Sequence, residues 1–179
     1  MLKNNYKNEI RNKIISKKAI IGIVGLGYAG LPLALLFAKK NFCVNGYDID
    51  KDKIKKIKKG QSYINRIKDE QIKILNKKGS FYTTFENINK CDFIIICVPT
   101  PLKKNDEPDL QFVKKSFISM KKKLRVGQAI VLESTSYPGT TKDIIVDQLK
   151  KNFLIGEEIY VGFSSERINP GFNENKLGK

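Results

Sequence analysis

The sequence predicts an α/β fold: a doubly wound parallel sheet of about six strands in the order 3-2-1-4-5-6, with helices on both faces. Three observations lead there. Short apolar runs alternate with amphipathic stretches along nearly the whole chain. The first run, residues 19–24 (AIIGIV), passes directly into Gly-Leu-Gly-Tyr-Ala-Gly and then into a helical pattern. The second run, residues 43–47, stops at an acid, Asp48.

Each element has a local reason. Residues 19–24 form a continuous apolar run, as a strand buried on both faces requires. Residues 31–40 read as a helix, with Leu33, Leu36 and Phe37 as its core stripe and Pro32 in the first turn, where a missing amide donor matters little. Asp50 is a good N-cap for a lysine-rich helix with Ile54 and Ile57 inward, and Gly60 is a stop. Residues 69–76 form the next helix, with Ile72 and Leu75 buried, and residues 81–84 a short strand. The most hydrophobic run, residues 93–98 (FIIICV), is a central strand ended by Pro99 and Pro101. Asp109 caps a helix to about Leu124, with Val113, Phe117, Met120 and Leu124 along one side. Residues 128–132 are the fifth strand. Residues 140–150, opened by Pro138-Gly139 with Thr140 or Thr141 as cap, are the last helix, and residues 159–163 the last strand. The organisation is a basic lead-in at 1–18, helical around residues 9–15, one cofactor domain at 19–171, and a polar tail at 172–179.

Composition excludes several classes. With 179 residues, 41% hydrophobic and 29% charged, the chain can bury one full core and is not disordered. No apolar stretch approaches the length of a membrane span, and the lead-in is too polar for a secretory signal, so a cytoplasmic location is expected, without a membrane partner. Three cysteines (Cys43, Cys91 and Cys97) without metal spacing, and no histidine, argue against disulfides or a metal site. Cys97 reads as a small buried hydrophobe. The net charge of +16 comes from lysines scattered over several helices rather than from arginines interleaved with aromatics. It fits general attraction for anionic ligands better than a nucleic-acid face.

The glycine turn carries the first function. Its context is that of a Rossmann dinucleotide site: strand before, helix after, acid at the end of the next strand. Gly25 permits the tight turn, Gly27 lets a pyrophosphate approach the backbone, and Gly30 lets the helix lie against the strand. The helix start offers unpaired amides to the phosphates. Asp48 can accept from both hydroxyls of the adenosine ribose and repels a 2′-phosphate, which favours NAD over NADP. FAD uses the same first unit, but the later strands also end in polar loops, as in a complete NAD domain.

Those loops follow strands four, five and six: Val98-Pro99-Thr100-Pro101, then Glu133-Ser134-Thr135 through Pro138-Gly139-Thr140-Thr141, then Ser164-Ser165-Glu166-Arg167-Ile168-Asn169-Pro170-Gly171. All converge on the carboxyl edge where the nicotinamide must lie. Thr100 and Thr135 suit a ribose, a nicotinamide amide or an ordered water, although Thr100 also fits a mere turn former. Glu166 can act as a base or activate water, or pair with Arg167 at the surface.

The ordered series GLGYAGLPLA, GYDIDKDKI, VPTP, EST-x-x-PGTT and SSERINPG resembles the N-terminal half of nucleotide-sugar 6-dehydrogenases, and most of all the branch acting on UDP-N-acetylhexosamines. The resemblance runs from about Ile20 to Gly171. It implies backbone contacts from Tyr28 and Ala29 to the pyrophosphate, Asp48 on the ribose and Lys53 near the adenosine end. It implies Thr100 and Thr135 beside the nicotinamide, Thr135 and Glu166 orienting the catalytic water, and Arg167 and Ile168 approaching the UDP-sugar. Ser165 stands where the family often has proline, and Phe172 where it often has aspartate; neither change removes a catalytic group.

The family reaction oxidises a primary alcohol twice with two NAD and one water, through a cysteine thioester. The resemblance places that cysteine and a helping lysine after the cofactor domain, and none of Cys43, Cys91 and Cys97 stands in the nucleophile motif. This chain alone is therefore expected to bind NAD without turning over. Family members are homodimers through regions beyond this segment, so the expectation for the chain by itself is a monomer. The alternative functions are a noncatalytic NAD-binding regulatory module and the UDP-glucose branch of the family.

Overall fold

Six parallel strands form one sheet in the order β3-β2-β1-β4-β5-β6, the order the sequence predicts. The computed structural model describes residues 5–104 and 106–165. In chain order the elements are α1 (Tyr6–Ile15), β1 (Ile20–Val24), α2 (Gly30–Lys39), β2 (Cys43–Tyr47), α3 (Lys51–Lys58), α4 (Asp69–Lys78), β3 (Gly79–Tyr82), β4 (Phe93–Ile96), α5 (Gln111–Lys121), β5 (Gln128–Leu132), a π-helical turn (Lys142–Val146) running into α6 (Asp147–Leu149), and β6 (Ile159–Phe163). Among the described residues no helix is long and apolar enough to cross a membrane.

The strands are apolar on both sides because helices cover both faces. One core layer joins β1 and β2 to α2, α3 and α4 through residues such as Ile23, Leu31, Ile57 and Leu75. The other joins β4 and β5 to α5 through Ile94, Ile130, Val113 and Phe117. The strands end together at the carboxyl edge: Val24 pairs with Tyr47 and with Ile96, and Ile96 with Leu132.

Several elements differ from expectation. On α2 the buried stripe is Leu31, Ala34, Leu35 and Ala38, whereas Leu36 is 52% exposed and Leu33 and Phe37 are half-buried. The small alanines, not the larger leucine and phenylalanine, let this helix approach the strand. The third strand begins at Gly79 and ends at Tyr82, not at 81–84, because β2 supplies partners only from Val44 to Tyr47. Its first residues, Gly79 and Ser80, carry no apolar signal. The fourth strand stops at Ile96, where both neighbouring strands run out. Helix α5 is shorter than the stretch from Asp109 to Leu124, although Asp109 does accept the Gln111 amide at 3.0 Å. Thr140 does not cap by accepting a helix amide; its buried hydroxyl donates to the Tyr137 carbonyl at 2.8 Å.

The lead-in is tied to the amino edge of the sheet. Ile10 of α1 is buried, and Lys13 Nζ reaches Asp92 Oδ1 at 2.7 Å. Asp92 also accepts from Arg125 at 2.9 Å and from the Ile20 amide at 3.0 Å. Burial works against the charged carboxylate, but the hydrogen bonds from Lys13, Ile20 and Arg125 prevail and hold its pKa below the ordinary value.

Candidate functional site

The turn between β1 and α2 has a backbone that only glycine permits. Gly25 lies at φ +91°, and a Cβ there would come within 2.8 Å of the Cys97 carbonyl oxygen. A Cβ on Gly30 would collide with the Gly25 carbonyl oxygen, so α2 starts against β1 at glycine distance. Gly27 is different: nothing lies within 4 Å of where its Cβ would stand, and the space before it is open. Among the described residues, the amides of Gly27, Tyr28 and Ala29 donate to no protein acceptor. The start of α2 thus presents free donors and the positive end of its dipole to that space.

Asp48 is part of the turn as well as its neighbour. Its Oδ2 accepts from the Leu26 amide at 2.9 Å and lies 3.4 Å from Lys53 Nζ, while Oδ1 accepts from the Asp50 amide at 3.0 Å. Expected to serve two ribose hydroxyls, the carboxylate already has three donors and keeps room for one more; a second hydroxyl requires Lys53 to give way. Asp50 in turn caps α3 by accepting from Asp52 and Lys53, which sets the Lys53 side chain beside Asp48.

Two clefts open along the carboxyl edge. The larger, about 630 Å³, is lined by Gly27, Tyr28 and Ala29 of the turn and by Thr100, Glu133 and Thr135 of the later loops. The smaller, about 290 Å³, is lined by Asp48, Ile49, Thr83, Phe85 and Phe112, among others. Gly27, Lys53, Val98 and Pro99 border both, so the two form one trough over β2, β1, β4 and β5. Of the site residues read from sequence, the structure brings together Gly25, Gly27, Tyr28, Ala29, Gly30, Asp48, Lys53, Thr100 and Thr135. Glu166, Arg167 and Ile168 lie outside the described residues.

Other lining residues were not foreseen. Ile49 is 83% exposed at the smaller cleft, and Phe112 comes from α5, far away in sequence. Ser134 is buried and donates to the carbonyls of Ile96 and Val98, at 3.2 and 2.7 Å. It braces the loop that carries Thr100 against the one that carries Thr135. Cys97 is buried as expected, yet it also borders the larger cleft, and its thiol donates to Glu133 Oε2 at 3.8 Å. Tyr63 reaches the same cleft from the α3–α4 connection. A serine, a cysteine or a tyrosine in a loop carries no periodic signal, so only the fold could assign these.

Residues 19–177 match the family model described as the UDP-glucose/GDP-mannose dehydrogenase family, NAD binding domain. The chain belongs to this family. NAD is the cofactor of the matched domain, and the free amides of the turn, the open space before Gly27 and the acid at Asp48 fit a dinucleotide. Among similar proteins, CapL of Staphylococcus aureus is 39% identical over 153 residues, covering 84% of this chain and 35% of CapL. A UDP-N-acetyl-D-glucosamine 6-dehydrogenase of Pseudomonas aeruginosa is 36% identical, covering 88% of this chain and 37% of the enzyme. The solved UDP-N-acetyl-mannosamine dehydrogenase Cap5O of Staphylococcus aureus superposes with a TM-score of 0.78 at 34% identity, over 86% of this chain and 38% of that one. The chain thus spans little more than a third of the length of these relatives.

Proposed function

We propose that this family member is the cofactor-binding part of a UDP-N-acetylhexosamine 6-dehydrogenase. The whole enzyme oxidises the sugar's primary alcohol to a uronic acid with two NAD, in the cytoplasm, for polysaccharide precursor synthesis. The observation that carries this reading is the single trough in which the glycine turn, Asp48, Thr100 and Thr135 all meet. The names of the relatives, UDP-N-acetyl-D-glucosamine and UDP-N-acetyl-mannosamine dehydrogenases, support the substrate class.

In this reading the amides of Gly27, Tyr28 and Ala29 hold the pyrophosphate, with Gly25 and Gly30 shaping the turn. Asp48 takes the adenosine ribose, and Lys53 offsets the local negative charge. Thr100 and Thr135 line the nicotinamide side, and Thr135 with Glu166 orients water for the hydrolytic step. Arg167 and Ile168 approach the nucleotide-sugar. When bound, NAD supplies the hydride acceptor; the residues of this chain bind it, orient it and reject a 2′-phosphate.

The test is a calorimetric titration with NAD and NADP, followed by incubation with UDP-N-acetylglucosamine and NAD while NADH absorbance is recorded. NAD binds, NADP binds far more weakly, and the 179-residue chain produces no NADH. Failure to bind NAD removes the whole reading. Steady turnover by this chain would overturn the expectation that it binds NAD without oxidising the sugar.

A further inference from the structure

We propose that Tyr63 is a positioning residue for the cofactor: its hydroxyl fixes the Leu26–Gly27 peptide, so that the glycine turn is set for the pyrophosphate before NAD arrives. The bond is direct. Tyr63 Oη donates to the Leu26 carbonyl at 2.5 Å, across 37 positions of sequence. The Leu26 amide is held from the other side by Asp48 Oδ2 at 2.9 Å. Both polar backbone groups of one turn residue are therefore taken by side chains from other elements.

A trans peptide is planar, and its C=O and N–H point in opposite directions. Holding the Leu26 oxygen toward Tyr63 consequently holds the Gly27 N–H away from it. That N–H has no acceptor among the described residues, and the space before Gly27 is open. A turn rich in glycine has several accessible backbone states, and ordering it on binding lowers affinity. The tyrosine removes that disadvantage by choosing the peptide orientation in advance.

Tyr63 is itself firmly planted. Its neighbours Ile64 and Ile67 are buried in the core below α2. The Ser62 amide donates to Asp69 Oδ1 at 2.7 Å, the Ser62 hydroxyl to the Ile64 carbonyl at 3.0 Å, and the Ile67 amide to the same carbonyl at 2.9 Å. The connection from α3 to α4 is thus a braced arm with the phenol at its end. Burial, and then the nearby carboxylates of Asp48 and Asp50, push the phenol pKa well above its ordinary value, so it remains a donor at any working pH.

This inference rests on the glycine turn being the NAD pyrophosphate site, and the experiment separates the two. The unaltered chain and Tyr63→Phe are titrated with NAD and, by NMR shifts, with adenosine, which has no phosphate to read the turn. In Tyr63→Phe the NAD Kd rises about five- to tenfold, the range expected for one lost hydrogen bond, while the adenosine Kd stays within about twofold. Equal NAD affinity in both proteins overturns the role of Tyr63 and leaves the site assignment standing; so does a matched loss for NAD and adenosine, which marks a merely structural residue. No NAD binding by the unaltered chain overturns the site assignment, and this inference with it. Should the variant not fold, the unaltered chain decides by proton exchange. The Tyr63 hydroxyl proton exchanges slowly with and without NAD, and exchange as fast as that of the exposed Tyr137 sinks the proposal.

Discussion

The Asp48 carboxylate accepts the Leu26 amide at 2.9 Å, which joins the acid after β2 to the middle of the glycine turn after β1. Asp48 therefore holds the turn in addition to the ribose role proposed for it, and substitution separates the two. Asp48→Ala removes both the turn's acceptor and the one proposed for the ribose, and is expected to weaken NAD binding by about 1.5–3 kcal/mol through lost charge-assisted hydrogen bonds. Asp48→Asn keeps an oxygen for the Leu26 amide but loses the charge, so its affinity falls between the two and its discrimination against NADP narrows. Calorimetry with both dinucleotides measures this. Unchanged NAD affinity in Asp48→Ala removes the ribose assignment.

Gly27 and Gly30 are predicted to fail in opposite ways. Alanine at Gly30 drives a methyl into the Gly25 carbonyl and forces α2 off β1, which destabilises the fold by about 1–3 kcal/mol. Alanine at Gly27 meets nothing in the protein, so unfolding in urea changes by less than about 0.5 kcal/mol. Its methyl instead occupies the space proposed for the pyrophosphate, and NAD affinity drops. A Gly27→Ala chain that binds NAD normally would show that the phosphates lie elsewhere.

Ile49 and Phe112 both line the smaller cleft and are 83% and 40% exposed. Large apolar side chains in that position fit an adenine ring better than they fit water. Phe112→Ala is expected to weaken NAD binding by about 0.5–1.5 kcal/mol with a smaller change in stability. The same loss with adenosine alone would tie the effect to the base. Loss of stability without loss of affinity would return Phe112 to the core.

The strands and the glycine turn were legible because their signals are local. A buried parallel strand is a run of apolar residues, and a phosphate-binding turn is glycine at fixed offsets. Leu36 shows where this stops. A helix as apolar as α2 has several credible faces, and the stripe of Leu31, Ala34, Leu35 and Ala38 is chosen by the close approach that Gly30 allows. The edge strand β3 lies two residues before its apolar pattern because its opening, Gly79 and Ser80, is set by pairing with β2. Tyr63 and Phe112 meet the site across long sequence separations with nothing in their neighbourhoods to mark them, and Ser134, though inside a marked loop, shows its bracing role only in the fold. Only the fold shows that the glycine turn, Asp48, Thr100 and Thr135 border one trough.

The cluster at the opposite edge gives a pH dependence of stability. Asp92 is almost fully buried and joins Lys13 of α1, Arg125 before β5 and the Ile20 amide of β1, so it binds the lead-in to the sheet. Its pKa in the folded chain is below the ordinary 3.8, so the unfolded chain takes up the proton first as pH falls. The stabilisation is accordingly complete above about pH 5 and is lost as pH drops through the depressed folded value. Lys13 and Arg125 are 46% and 38% exposed, and solvent screens part of their attraction. Asp92→Asn is therefore expected to destabilise by about 1–2 kcal/mol at neutral pH, less than a fully buried pair would give. In urea titrations at a series of pH values, the difference between the unaltered chain and Asp92→Asn should close steadily below about pH 4. A difference that stays constant to low pH would mean that the carboxylate charge contributes nothing and that Asp92 acts through shape and neutral hydrogen bonds. Lys13→Met provides the internal check: it removes one of the two cations, and with it only part of the same pH-dependent gap.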